Sequence, residues 1–107
     1  MCDYAAPAGI IDGRLVALHG ADATFQVDRV KRPSYTSHDT PTPVAGQRLV
    51  VTYESGDQRY LRTGQRYKVM VWWLHVPSPP RYFSSVHTPK RECSGGTIYA
   101  DGTTIDT

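Results

Sequence analysis

Cys2 and Cys93 are the 2 thiols of this 107-residue chain, and a single pair so far apart has neither a metal-site nor a redox-motif spacing. In an oxidising compartment they would close a disulfide around nearly the whole chain, a loop worth roughly 4 kcal/mol. If Cys2 begins a mature lipoprotein, it carries lipid and Cys93 stays alone. In a reducing compartment both are ordinary thiols. Spacing leaves all three readings open, and with them the choice between an exported or envelope-associated protein and a cytoplasmic one.

The histidines are His19, His38, His75 and His87, none at the close spacing of a structural zinc site. His75 and His87 flank one expected hairpin. With its turn near Pro79, however, they fall roughly 17 Å apart at ~3.3 Å per residue, too far to share a metal. Ser84, Ser85 and Ser94 lack a Gly-x-Ser-x-Gly setting, and no His–Asp pair can be placed beside them. His38-Asp39 sits in a long loop, where side chains are poorly pre-organised for proton transfer. Ser94–Thr97 is glycine-rich but lacks the lysine and following helix of a phosphate loop. The expectation is a binding module without metal or cofactor, not an enzyme.

Charge points to a different kind of chemistry. The 12 Lys and Arg against 10 Asp and Glu give a net charge of only +2, too mild to imply nucleic acid by itself. Yet Gln58 to Arg91 holds no acid, while Arg59, Arg62, Arg66, Lys68, Arg81, Lys90 and Arg91 all fall inside it. Aromatics interleave with these cations, as in Arg66-Tyr67-Lys68 and Arg81-Tyr82-Phe83. A positive groove with aromatic platforms binds single strands, at ~1–3 kcal/mol per stacked base. The plainer reading is that these cations are the solvated outer faces of strands. The candidate binding residues are Arg62, Arg66, Lys68, Trp72, Arg81 and Tyr82. A protein or cell-envelope component is the expected partner, with single-stranded nucleic acid as the alternative.

These residues must be positioned by strands, because no window has apolar residues at helical spacing. The expected strands are Ile10–His19, Ala23–Lys31, Arg48–Glu54, Gln58–Arg62, Arg66–Leu74 and Arg81–Thr88, followed by a terminal hairpin from Thr97 to Ile105. In the first, Ile11, Leu15 and Ala17 share one face, with Val16 and Leu18 opposite. In the second, Phe25 and Val27 face inward, and Val30 breaks the phase, which calls for a bulge or strand end near Arg29. Leu49, Val51 and Tyr53 share the inner face of the third.

The strand 66–74 is apolar on both sides, with Tyr67, Val69, Val71 and Trp73 on one face and Met70, Trp72 and Leu74 on the other. That marks a central strand, or one whose outer face is covered or used. Trp72, beside Lys68 and Met70, is the better surface candidate, whereas Tyr67 and Trp73 belong with the core. A Pro-, Ser- and Thr-rich loop spans residues 32–47. One domain over 1–107 is expected, all-β: five to six short, mostly antiparallel strands that form a small barrel or a sandwich, with a C-terminal hairpin. A chain of this size buries roughly two-thirds of its unfolded surface, enough for one core.

Nothing in the sequence approaches the ~20 apolar residues of a membrane-spanning helix, and no signal peptide is expected from residues 1–30. Met1 directly before Cys2 also suits a start codon placed where a leader was removed, and a longer parent continuing past Thr107 is compatible with the sequence.

The segments "GRLVALHGADATFQVDRVK", "GQRLVVTYESG", "RYLRTGQRYKVMVWW" and "ECSGGT" together resemble the netrin-like domains of bacterial type. This family includes the tissue inhibitors of metalloproteinases. The matching positions are Gly13, Phe25, Val27, Val30, Lys31, Gly64, Arg66, Tyr67, Cys93 and Thr97. The resemblance implies an OB-type barrel and an association with extracellular or envelope interactions. It does not extend to protease inhibition: the Cys-x-Cys start and additional cysteines of that family are missing, and its flanking helices are not evident.

Overall fold

Side-chain alternation fixes the inner face of each strand, and the strands then have to close on one another. The computed structural model describes residues 5–31, 42–53, 56–74, 81–86 and 96–105. Cys2, Cys93, His38, His75, His87 and most of the 32–47 loop lie outside these. The described strands are β1 (Ala5–His19), β2 (Asp22–Lys31), β3 (Arg48–Tyr53), β4 (Arg66–Leu74), β5 (Arg81–Ser84) and β6 (Thr97–Tyr99). Among the described residues there is no α-helix, and none long and apolar enough to cross a membrane.

The sheet runs β1-β2-β3-β5-β4-β6, and a further β1–β4 pairing closes five of the six strands into a barrel. An odd ring cannot alternate direction at every step, so one neighbouring pair must run parallel. That pair is β3–β5, with Val51 beside Tyr82 and Tyr53 beside Ser84; every other pairing is antiparallel. β1 reaches both β2 and β4 because register shifts let it curl.

One shift leaves Asp28 of β2 without a partner between Arg29 and Val27, which is the phase break expected near Arg29. A second leaves Val16 of β1 as the extra residue. It turns Leu18 toward the core, where simple alternation puts Ala17. Gly13 sits at the first of these irregularities. A Cβ there would lie 2.7 Å from the Gln26 carbonyl oxygen, closer than side chains tolerate.

The barrel is filled by the inner faces. Ile11 and Leu15 of β1, Phe25 and Val27 of β2, Leu49, Val51 and Tyr53 of β3, and Tyr67, Val69 and Val71 of β4 are all buried. Phe25 is the centre: Tyr53 lies 6.5 Å away, and Tyr67 meets it edge-on at 6.3 Å. Such pairs add about 0.5–1.5 kcal/mol each beyond area burial.

The expected strand 58–62 is not formed. Asp57–Tyr60 makes a 3₁₀ turn instead. The partners of β3 are already β2 and β5, so the chain leaving it has no hairpin edge to return along. Asp57 anchors the turn, because its buried carboxylate accepts the Val86 backbone N–H at 2.8 Å. Gly64, at φ +92°, makes the turn into β4. At the far end β6 returns as the expected hairpin, with Ile98 bridging Thr104.

Candidate functional site

β4 is the strand with most neighbours, which is why both its faces are apolar. One edge lies along β1 from Ala5 to Arg14. The other edge is shared end to end, β6 taking Tyr67 to Val69 and β5 taking Trp72 to Leu74. Met70 sits in the gap between them. Its N–H donates to the Gly96 carbonyl at 2.8 Å, and its carbonyl accepts the Ser84 hydroxyl at 2.9 Å.

Behind this junction lies a buried polar relay. Tyr53 Oη and Thr97 Oγ1 share a hydrogen bond of 2.8 Å, and Thr97 Oγ1 and Ser84 Oγ lie 3.3 Å apart. Burial pushes the Tyr53 phenol well above the ordinary tyrosine range, against the opposing pull of the Thr97 and Ser84 hydrogen bonds. The relay ties β3, β5 and β6 together without bringing in a base, an acid or a metal ligand.

The outer face of β4 is organised differently. Arg66, Lys68, Met70 and Trp72 follow one another along it, opposite Arg14, Asp12, Ile10 and Pro7 of β1. Beside Met70 an apolar cleft of about 290 Å3 is lined by Ile10, Lys68, Met70, Val86, Thr97 and Ile98. The Oδ1 atom of Asp12, across from Lys68, is buried without a hydrogen-bond partner, and so is the Nε1 atom of Trp72. Neither residue lines the cleft, whose aliphatic walls and single cation, Lys68, suit an apolar segment of a partner.

The residues singled out in the sequence are only partly brought together. Lys68 and Trp72 both reach this face, but Trp72 is just 7% exposed, packed with Phe83 and Met70 in a small cluster outside the barrel. It forms the floor of the face more than its contact surface. Arg66 is held by Asp28 in an exposed ion pair of 2.6 Å. Arg62 stands at the end of the barrel, where its backbone N–H donates to the Tyr67 hydroxyl at 2.8 Å. Tyr82 is half-buried and packed against the core, and burial raises its pKa. Arg81 opens β5 opposite Leu74.

Ile10 and Ile98 were missed as site residues. The only signal for them was apolar side chains on faces that alternation assigns to solvent. Among the described residues, no group of three His, Cys, Asp or Glu side chains gathers to hold a metal. No family model matches the chain, and no curated protein or solved structure matches it either.

Proposed function

We propose that this chain is a non-enzymatic interaction module of the OB type, and that it takes a protein or cell-envelope partner on the outer face of β4. One observation carries the reading: the apolar cleft walled by Ile10, Met70 and Ile98, with Lys68 as the one cation in its lining. A folded domain gains nothing from leaving an apolar cleft open to water, and an apolar side chain of a bound polypeptide would cover it. The OB part of the reading rests on the five-strand ring and its single parallel pair. The envelope part rests on the netrin-like pattern of the sequence.

Single-strand binding has weaker support. Arg66 is already committed to Asp28, and the described aromatic rings between Gln58 and Arg91 are buried or packed against the core, which leaves the basic segment without an open stacking platform. Salt separates the two readings. The chain is immobilised, loaded with extract of its native cells, and washed at low and at high salt. A protein retained through both washes is the expected result, because apolar contact depends weakly on salt. Nucleic acid as the retained species, released by salt through counterion uptake, would overturn the proposal.

A further inference from the structure

A second concave site lies at the start of β4, where the turn at 63–65 meets the terminal hairpin. It is an open basin of about 500 Å3 lined by Gln65, Tyr99, Ala100, Asp101 and Thr103, within the usual size range of small-molecule sites, about 300–1,000 Å3. It shares no lining residue with the cleft described above.

Two of its side chains, and the backbone that carries a third, are held in place by the fold. The ring of Tyr99 stacks on that of Tyr67, with centroids 5.7 Å apart and planes within 19°. Tyr67 is itself fully buried, set edge-on against Phe25 and fixed through its hydroxyl by the Arg62 N–H. One face of Tyr99 is thus covered, and the half-buried ring lines the basin. Asp101 is oriented by Thr103, whose backbone N–H and hydroxyl both donate to its Oδ1, at 2.9 and 2.6 Å. Those bonds hold its carboxyl below the ordinary carboxylate range, so it is an anion at neutral pH. Gln65 has both backbone groups engaged, its N–H by the Arg62 carbonyl and its carbonyl by the Leu15 N–H. Its amide side chain is exposed at the rim.

A rigid aromatic ring, a carboxylate and a primary amide around one shallow basin match the two-sided chemistry of a sugar. The C–H face of a pyranose packs on an aromatic ring, while its vicinal hydroxyls donate to a carboxylate and exchange hydrogen bonds with an amide. The carboxylate disfavours an acidic sugar or a phosphate by like-charge repulsion. We infer that the Gln65–Tyr99–Asp101 basin binds a neutral carbohydrate, with Tyr99 as the stacking platform and Asp101 and Gln65 as the hydroxyl readers. This site stands independently of the partner proposed for the outer face of β4.

The test is an NMR titration of the whole chain with maltotriose, cellotriose and chitotriose, with glucuronate and a single-stranded oligonucleotide as controls. Saturable shifts of the Tyr99 ring signals are expected with at least one neutral probe, at a Kd of about 1 mM or tighter, and none with glucuronate. Asp101→Asn keeps an acceptor for Thr103 and is expected to weaken binding about tenfold, Gln65→Ala about fivefold. Tyr99→Leu keeps an apolar plug over Tyr67 and should abolish binding; should it fail to fold, the two polar variants decide the matter alone. The inference is overturned if no neutral probe moves the Tyr99 signals, if Asp101→Asn and Gln65→Ala both bind as well as the parent, or if the oligonucleotide is the probe that saturates.

Discussion

Along β4, odd- and even-numbered residues are under different constraints. Tyr67, Val69 and Val71 point into a closed barrel and are fully buried, so the ring of five strands accounts for each of them. Met70 and Trp72, with Ile10 and Ile98 beside them, lie outside that ring, where closure requires nothing apolar. Lys68 and Arg66 complete the outer row. The inner face is explained by folding alone, whereas the outer face around Ile10, Met70 and Ile98 carries an apolar cleft that closure of the barrel does not need. Surplus of this kind is where a binding role is most economically placed.

Substitutions should separate the two faces, and the inner one should respond most. Tyr67→Ala removes a fully buried ring and strips the Arg62 N–H of its acceptor. A loss of about 3–5 kcal/mol is expected in urea unfolding. Trp72→Ala tests whether the outer cluster is structural or only decorative. With Phe83 and Met70 packed on it, about 3 kcal/mol should be lost, the low end of such truncations; a loss under about 1 kcal/mol would return Trp72 to the surface. Gly13→Ala forces a methyl against the Gln26 carbonyl oxygen, and roughly 2 kcal/mol of destabilisation should follow.

Alkaline titration reads the relay behind the inner face. Folded Tyr53 keeps its proton to a higher pH than the unfolded chain does, so its contribution is fully present below about pH 10. It is lost as pH climbs from there toward the raised folded value, because the unfolded state then holds fewer protons. Thermal melts across this window should show the fall, and Tyr53→Phe should flatten it. The smallest effect belongs to Arg66→Ala: its ion pair with Asp28 is exposed, and such pairs are typically worth about 0–1 kcal/mol.

Much of the inner face was legible in the sequence. Phe25 and Val27, Leu49, Val51 and Tyr53, and Tyr67, Val69 and Val71 each recur at every second residue because one side of each strand is dry, and Val30 announced the bulge at Asp28. What escaped was non-local. The bulge at Val16 that exchanges Leu18 for Ala17 follows from how β1 bends between two partners. The 3₁₀ turn at 57–60 follows from both neighbours of β3 being taken by other strands. The cleft joins Ile10, Met70 and Ile98 from three strands whose relative register no local pattern records, and the cover that Phe83 gives Trp72 likewise depends on β5 pairing with β4.

The most direct measurement uses Ile98→Glu, which puts a charge into the outer cleft without touching the barrel interior. Its unfolding free energy and its affinity for the protein captured by the parent chain are measured side by side. Stability within about 0.5 kcal/mol of the parent, with partner affinity reduced at least tenfold, is the expected result. Undiminished affinity would contradict the docking role of this face, and a collapse of the fold would mean that the cleft wall at Ile98 is structural after all.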